Sequence, residues 1–175
     1  RFDYYHRVEE RLKFDLQYFN RITKGGLPPK TLNVALAGTG VGKSLFMCHV
    51  AASMISQGKN VLYITLEMAE ERIAERIDAN LLDVTIDELY DMPKKFYDDK
   101  IKKMQSKVQG QLIIKEYPTA AAHSGHFKSL MDELALKKSF KPDIVFIDYL
   151  NICSSSRFKG GNISSYFFIK AIAEE

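Results

Sequence analysis

The feature that most constrains the fold of this chain is a glycine-rich loop between an apolar run and an amphipathic run. The apolar run covers residues 32–36, the loop covers residues 37–44 with the sequence AGTGVGKS, and the amphipathic run covers residues 45–55. A continuous apolar run is typical of a buried strand, and apolar residues at helical spacing predict a helix. The local order is therefore strand, loop and helix, which predicts an α/β fold.

The loop has the composition of a phosphate-binding loop. It matches the Walker A pattern G-x-x-x-x-G-K-[ST], except that Ala37 stands where the first glycine is usual. Glycines lack a Cβ and let backbone N–H groups turn inward around an anion, while the start of the next helix adds unpaired N–H groups and a positive dipole end. The predicted phosphate-binding residues are Gly38, Thr39, Gly40, Val41, Gly42, Lys43 and Ser44.

Lys43 and Ser44 carry the most specific part of this prediction. In a phosphate loop the lysine reaches the β- and γ-phosphates of a nucleoside triphosphate, and the adjacent hydroxyl binds Mg²⁺. A glycine-rich turn also occurs by chance between a strand and a helix, but chance rarely supplies the Lys-Ser pair as well. We therefore interpret the loop as a site for a triphosphate and Mg²⁺ rather than as a plain turn.

Strands alternate with helices along the rest of the chain. The hydrophobic patterns predict strands at residues 31–37, 61–66, 112–114 and 144–148, and helices at about 43–57, 69–82, 93–108 and 124–139. Thr85 and Glu88 have the spacing of a capping box, which predicts a further short helix. Residues 4–14 could form a helix that leads into the domain. This alternation implies a mainly parallel sheet with helices on both faces.

Length, composition and charge exclude several classes of protein. A chain of 175 residues, 46% hydrophobic and 27% charged, fits one globular domain. No apolar run approaches the roughly 20 residues that span a bilayer. No secretory signal opens the chain, so we expect a cytoplasmic protein without a membrane partner.

The net charge of +3 permits a nucleic-acid partner without demanding one. Cys48 and Cys153 lie far apart, which disfavours a disulfide or a zinc site and predicts Cys48 as a core residue.

Acidic residues follow two of the predicted strands. Asp148 ends an apolar strand as in a Walker B element, where a carboxylate binds Mg²⁺ directly or through water. Glu67 follows the strand that comes next after the loop, and it could deprotonate a water molecule for attack on the γ-phosphorus. The alternative for Glu67 is an exposed acid that helps to start the following helix. We favour the catalytic interpretation.

Two further groups of residues give weaker signals. His123 and His126 have a spacing that could ligate a metal, but with no third ligand nearby we expect surface or capping histidines. The loop at residues 154–161 contains Arg157, Phe158 and Lys159. Such a loop could contact a phosphate backbone and stack a base, and an ordinary solvated connection is an equal alternative.

Three elements together resemble a known family. The loop at residues 37–44, the Leu66-Glu67-Met68 element and the Ile147-Asp148-Tyr149-Leu150 element are similar to those of the RecA-fold motor domain of hexameric replicative DNA helicases of the DnaB type. The second and third elements are more specific than the first, which many other NTPases share. The resemblance covers most of the chain, from about residue 14 to residue 175.

The resemblance implies a RecA-like P-loop NTPase fold of the α/β class, truncated at the carboxyl end. Residues 1–20 would be a linker or a lead-in helix, and residues 21–175 an incomplete RecA-like ATPase core. The polar sensor residue, the main DNA-contacting loops and the arginine finger of such proteins would lie beyond Glu175. We therefore expect this piece by itself to bind nucleotide weakly, to hydrolyse it slowly and not to unwind DNA.

The resemblance also implies the activity and the roles of the site residues. It implies an ATP-dependent DNA helicase that encircles single-stranded DNA as a homo-hexamer during replication, binds ATP between neighbouring subunits and translocates 5′ to 3′. Lys43 and Ser44 would hold phosphate and Mg²⁺, Asp148 would bind the metal, and Glu67 would be the catalytic base, with Lys43 also acting in catalysis. A primase and a helicase loader are the implied protein partners. The host cytoplasm is the implied location if the protein is encoded by a phage.

Other classes of ATPase share part of this pattern. A RecA-like recombinase or another DNA-dependent ATPase has the same Walker residues and a glutamate after the second strand, but the Leu66-Glu67-Met68 and Asp148-Tyr149-Leu150 elements favour a helicase. A small-molecule kinase would need an arginine-rich lid, which does not occur between the third predicted strand and Asp148. A GTPase is disfavoured because the sequence contains no N-K-x-D element.

Overall fold

The computed structural model describes residues 10–106, 108, 110–119, 121–158 and 165–175, with the side chains of residues 165 and 166 left out. The chain divides into two compact units, which we call the first unit, residues 1–43, and the second unit, residues 44–175. The helix predicted over residues 4–14 lies mostly outside the described part, and residues 10–14 are not helical. The assignment of residues 1–20 as a linker stays a prediction.

The described residues of the first unit, 10–43, contain an isolated bridge and a short helix, α1 (Gln17–Ile22). Leu12 and Leu27 form an antiparallel bridge with backbone N···O distances of 2.9 and 2.8 Å. Gly26 has φ of +117°, and a Cβ at this position would clash with the carbonyl of Leu12. Only glycine fits this close approach without strain.

The prediction of a strand over residues 31–37 is wrong. Residues 31–38 have no regular secondary structure, and Leu32, Val34 and Leu36 are 64%, 67% and 96% exposed. A strand exists only where a neighbouring strand accepts its backbone hydrogen bonds, whatever its pattern of apolar residues. Among the described residues of the first unit, the Leu12–Leu27 bridge is the only pairing of this kind.

The remaining elements begin at Lys43. The helices are α2 (Lys43–Ser56), α3 (Glu70–Leu82), α4 (Ile86–Asp91), α5 (Lys94–Gln105), α6 (Ser124–Lys138) and α7 (Ser165–Glu174), the strands are β1 (Val61–Thr65), β2 (Leu112–Glu116) and β3 (Ile144–Asp148), and a 3-10 turn covers Leu150–Ile152. Three of the four predicted strands and all the predicted helices from residue 43 onward are confirmed. The boundaries agree to within a few residues.

The three strands form one parallel sheet in the order β2-β1-β3. In the register, Tyr63 of β1 lies between Ile114 of β2 and Phe146 of β3, and Thr65 lies beside Asp148. Every residue of β1 is buried, as expected for a central parallel strand covered on both faces. The parallel sheet predicted from the alternation of elements is confirmed.

The two faces of the sheet are covered by different helices. Leu62 and Ile64 share one face because side chains alternate along a strand. They belong to an apolar cluster with Phe127 and Leu134 of α6. Tyr63 lies on the opposite face, where its hydroxyl is 3.9 Å from the sulfur of Cys48 in α2. Helices therefore cover both faces of the sheet, as predicted.

The outer helices follow local sequence signals. Thr85 and Glu88 form the predicted capping box at the start of α4. In α5 the side chains of Tyr97, Ile101 and Met104 are half-buried, and most of its charged residues are exposed. None of the helices in the described part of the chain combines the length and the hydropathy needed to cross a membrane.

Candidate nucleotide-binding site

The glycine-rich loop belongs to the first unit, except for its last residue, Ser44, and it has the backbone conformation that its sequence predicts. Gly40 and Gly42 have φ of +74° and +101°, which residues with a Cβ rarely adopt. No atom lies within 4 Å of a Cβ placed on either glycine, so backbone conformation and not crowding selects glycine at both positions. Residues 38–41 are exposed, and the loop leads directly into α2. Exposed N–H groups at the start of a helix are a suitable site for a phosphate.

The start of α2 is placed by its contact with the sheet. Only residues 57–60 connect α2 to β1, and Cys48 of α2 contacts Tyr63 of β1. Because the connection is so short, the two elements run in opposite directions, and the start of α2 lies toward the carboxyl end of β1. Ser44 is one helical turn before Cys48 on the same side of the helix. Ser44 is therefore directed to the sheet edge where the strands end.

Asp148 ends β3 at that edge and is almost fully buried, with 1% of its surface exposed. The hydroxyl of Tyr63 donates a hydrogen bond of 3.0 Å to its Oδ2 atom. The thiol of Cys48 donates a weak hydrogen bond to the same hydroxyl. Burial raises the pKa of Tyr63, and the neighbouring Cys48 and Asp148 raise it further, so the phenol stays protonated and remains a donor. Burial also raises the pKa of the Cys48 thiol.

Glu67 leaves the sheet at the same edge as Asp148. The two residues are linked through the backbone, since the N–H of Leu66 donates to the carbonyl of Asp148 at 2.9 Å. The Thr65 hydroxyl donates to the carbonyl of Met68 at 2.8 Å and accepts from its N–H at 3.1 Å. The hydroxyl of Thr119 donates to the carbonyl of Leu66 at 2.9 Å. Glu67 itself is exposed, so its carboxylate is accessible on a turn that is fixed on both sides.

The second unit therefore brings three of the predicted site residues to one edge: Glu67 and Asp148 at adjoining strand ends, and Ser44 at the start of α2. The predicted phosphate-binding residues Gly38, Thr39, Gly40, Val41, Gly42 and Lys43 belong to the first unit and continue into α2 along the chain. The sequence did not single out Tyr63, Thr65 and Thr119, which support this edge. For Tyr63 and Thr65 the signal was available, because a polar group inside an apolar run must find a hydrogen-bond partner.

The residues at this edge have the chemistry that Mg²⁺ requires. Magnesium prefers oxygen ligands and usually takes one or two from the protein, with water and phosphate oxygens completing its octahedron. The carboxylate of Asp148 and the hydroxyl of Ser44 are ligands of this type. Among the described residues there is no cluster of three or more His, Cys, Asp or Glu side chains that would hold a metal on its own. The donor set thus fits a metal that a nucleotide brings with it.

The histidine pair has a structural role at the start of α6. The Nδ1 atom of His123 accepts from the N–H of Gly125 at 3.0 Å, and the Nδ1 atom of His126 accepts from the N–H of His123 at 3.2 Å. These bonds satisfy N–H groups at the helix start. The capping interpretation of the two histidines is confirmed.

The loop after β3 is described only as far as Phe158, and Lys159 to Gly161 lie outside the described residues. Its Arg157 forms an ion pair of 3.1 Å with Glu174 of α7. The carboxylate of Glu175 accepts from the hydroxyl of Ser155 at 2.6 Å and from the N–H of Ser156 at 3.0 Å. Burial raises the pKa of Glu175, but these hydrogen bonds outweigh it and lower the pKa to about 2. The loop is thus attached to the end of α7.

A glycine-rich loop that opens a helix, followed by a parallel sheet whose strands end in acidic residues, defines the class of P-loop nucleotide-binding proteins with a RecA-like fold. The family model for the DnaB-like helicase C terminal domain matches residues 12–173. The chain belongs to this family, which confirms the resemblance found in its sequence.

Individual relatives agree with this assignment. The chain is 48% identical over 174 residues to the DnaB-like replicative helicase of Enterobacteria phage T4, an alignment that covers 98% of this chain and 37% of that protein. It is 27% identical over 163 residues to a probable plasmid replicative DNA helicase of Chlamydia psittaci, covering 87% of this chain and 35% of that protein. The chain therefore spans little more than a third of the length of these relatives.

A solved structure of a DnaB-like replicative helicase, described together with its interactions with primase, has the same fold. The TM-score is 0.69, and the match covers 99% of this chain and 42% of that one. At 16% sequence identity, this likeness supports the RecA-like helicase fold and no finer property. The predicted fold class is confirmed.

Proposed function

We propose that this chain is the motor domain of an ATP-driven DNA helicase that translocates 5′ to 3′ on single-stranded DNA during replication, as a homo-hexamer in the intact protein. The observation that carries the proposal is the common edge of Asp148, Glu67 and the start of α2, because a motor must hold and hydrolyse a triphosphate at one place. Family membership supports the coupling of that chemistry to DNA.

In this proposal each residue has one task. The N–H groups of residues 38–43 and the ammonium of Lys43 bind the phosphates of ATP. The hydroxyl of Ser44 and the carboxylate of Asp148 hold Mg²⁺, directly or through water. When bound, Mg²⁺ neutralises negative charge on the β- and γ-phosphates. The burial of Asp148 suits this task, because a cation attracts a carboxylate more strongly where water does not screen it.

Glu67 is the proposed general base. Its carboxylate takes a proton from a water molecule as the water oxygen bonds to the γ-phosphorus and the bond from phosphorus to the leaving oxygen of ADP breaks. Three features support this role: its exposure, its position at the strand end beside Asp148, and the rigid turn formed by Thr65 and Met68. A base must be both accessible and held in place to act on one water molecule.

The proposed partners follow from the family and from one neighbour. Single-stranded DNA is the proposed track, and a primase and a helicase loader are the proposed protein partners. The solved DnaB-like helicase of the same fold is itself described with primase, which supports the first of these protein partners. The proposed location is the cytoplasm, that of the host if the protein is encoded by a phage.

The test of the catalytic assignment compares Glu67→Gln with Glu71→Gln in the full-length protein. Both glutamates are exposed, but Glu71 lies in the first turn of α3, away from the strand end. Removing a general base slows hydrolysis by about 100-fold or more. We therefore expect DNA-stimulated ATPase activity to fall by this factor in Glu67→Gln, with nucleotide binding retained, and to be unchanged in Glu71→Gln. Equal activity of both variants would contradict the role of Glu67.

The test of the motor assignment compares two DNA duplexes, one with a single-stranded 5′ tail and the other with a single-stranded 3′ tail. A 5′-to-3′ motor loads on a 5′ tail, so unwinding of the 5′-tailed substrate alone is the expected result. ATP hydrolysis without DNA stimulation, or transfer of phosphate to a small acceptor, would contradict the helicase function.

A further inference from the structure

Tyr63 connects the two elements that carry the proposed Mg²⁺ ligands. Its hydroxyl donates to Oδ2 of Asp148 at 3.0 Å and accepts from the thiol of Cys48 at 3.9 Å. Cys48 is one helical turn after Ser44 on α2, and Asp148 is the last residue of β3. Tyr63 is fully buried in the central strand between them. The hydroxyl of Tyr63 therefore contacts the carboxylate of Asp148, which is one of the two proposed Mg²⁺ ligands. It also contacts α2, the helix that carries the other proposed ligand, Ser44.

Core packing alone does not require this hydroxyl. The neighbouring residues of β1, Leu62 and Ile64, are fully buried aliphatic side chains. The ring of Tyr63 stacks on Phe146 with centroids 5.6 Å apart and planes 17° apart, and a phenylalanine would make the same contact. Burying a hydroxyl is costly unless it is hydrogen-bonded. Its presence at this position therefore calls for a role beyond packing.

A hydrogen bond to one oxygen of a carboxylate limits its rotation about the Cβ–Cγ bond. The donation to Oδ2 thereby sets the plane of the Asp148 carboxyl group and the direction of its other oxygen. Groups that hydrogen-bond to metal ligands orient those ligands, and their loss typically weakens metal affinity by about 10- to 100-fold.

We propose that Tyr63 is a positioning residue for magnesium, and that its hydroxyl orients the carboxylate of Asp148 toward a Mg²⁺–nucleotide complex. This inference rests on the proposed function, since it takes Asp148 as a ligand of the metal. Tyr63 does not contact the nucleotide. Its effect on nucleotide binding passes entirely through Asp148.

The experiment measures binding of N-methylanthraniloyl-ADP to the full-length protein as Mg²⁺ is increased, and separately in EDTA. The variant is Tyr63→Phe and the matched control is Tyr97→Phe. Tyr97 also donates to an aspartate, Asp78, at 3.4 Å, but on the outer helix α5. We expect the half-saturating Mg²⁺ concentration to rise about 10-fold in Tyr63→Phe, with affinity in EDTA unchanged, and neither to change in Tyr97→Phe.

A second background shows whether the effect passes through Asp148. In an Asp148→Asn protein, adding Tyr63→Phe is expected to cause no further change in Mg²⁺ dependence. The role of Tyr63 is overturned if folded Tyr63→Phe shows an unchanged Mg²⁺ dependence. It is also overturned if Tyr63→Phe changes the Mg²⁺ dependence as much in the Asp148→Asn background as in the unmodified protein. Either outcome leaves the proposed function intact. Failure of the unmodified protein to bind the nucleotide at any Mg²⁺ concentration overturns both.

A second measurement covers the case in which Tyr63→Phe does not fold. Replacing Tyr63 with 3-fluorotyrosine keeps the hydroxyl and nearly the same size, and its fluorine resonance reports the surroundings of the ring. We expect this resonance to shift when Mg²⁺ is added with the nucleotide but not when the nucleotide is added in EDTA. The same probe at Tyr97 is expected to shift in neither case. A resonance at Tyr63 that ignores Mg²⁺ overturns the inference.

Discussion

Two apolar runs of similar composition differ in burial and in secondary structure in this molecule. Residues 32–36, with the sequence LNVAL, are exposed and irregular, and the leucine at position 36 is 96% exposed. Strand β1, with the sequence VLYIT, is buried at every position and pairs with strands on both sides. Both runs precede a predicted site residue, and the sequence predicts a strand for both.

The difference shows that hydrophobic pattern and strand formation are separate requirements. β1 forms because β2 and β3 accept its hydrogen bonds and because helices cover both faces. Residues 32–36 have a comparable pattern, but among the described residues of the first unit they have no such pairing. The comparison can be tested by changing one residue type both at a position in or next to the sheet and at an exposed position of the first unit.

The largest expected difference is between Leu62→Ala in β1 and Leu36→Ala in the exposed run. Leu62 is fully buried, so its truncation leaves a cavity and lowers the free energy of unfolding by about 2 to 5 kcal/mol. The side chain of Leu36 is almost entirely surrounded by solvent, so its truncation changes the free energy of unfolding by less than about 0.5 kcal/mol. Urea unfolding of both variants measures the difference. Comparable losses would show that residues 32–36 are packed in solution.

A smaller difference is expected between Gly110→Ala and Gly38→Ala. A Cβ on Gly110 would lie 2.5 Å from the carbonyl oxygen of Lys59 and 2.6 Å from that of Ile55, so the backbone must shift. Overpacking of this kind costs about 1 to 3 kcal/mol. A Cβ on Gly38 would make an ordinary contact of 3.6 Å with Val41, and we expect almost no loss of stability. A melting temperature of Gly110→Ala equal to that of the unmodified chain would refute the close approach.

The smallest difference is expected between Asn60→Ala and Asn33→Ala. The side chain of Asn60 joins three strand starts, since it accepts from the N–H of Gln111 at 3.2 Å and donates to the carbonyl of Lys141 at 3.1 Å. Losing both bonds costs about 1 to 2 kcal/mol. Within the described part of the chain, the side chain of Asn33 bonds only to Thr31, two residues away, and its removal is expected to cost less than about 0.5 kcal/mol. Denaturant midpoints distinguish the two outcomes, and equal midpoints would count against a bracing role for Asn60.

The fold was predictable where local signals agreed with the tertiary environment. The capping box of Thr85 and Glu88 and the helix over about residues 69–82 are read from short stretches of sequence, and both occur in the structure. Helix signals of this kind depend on hydrogen bonds between near neighbours in the chain. The strand expected at residues 31–37 failed because its hydrogen bonds would have to come from elsewhere.

The residue types of the candidate site were predictable from the sequence, but the residues that support them through hydrogen bonds were not. Residue type and order were enough to single out Lys43, Ser44, Glu67 and Asp148 as candidates, and their catalytic and binding roles stay predictions. The hydroxyl of Tyr63 on Asp148 joins residues 85 positions apart in sequence. The apolar run around Tyr63 shows that its hydroxyl needs a partner, but only the sheet register revealed that the partner is Asp148.

The sequence by itself determined the glycine-rich loop, the helices and the acidic residues at the ends of two strands, because each of these depends on residues that are close together in the chain. The tertiary structure decided which apolar runs became strands, in what order they paired, and which buried polar groups hold the acidic edge together. The physical reason is that helices and loops satisfy their backbone over short distances along the chain. Strands and buried side chains depend on partners that only folding brings near.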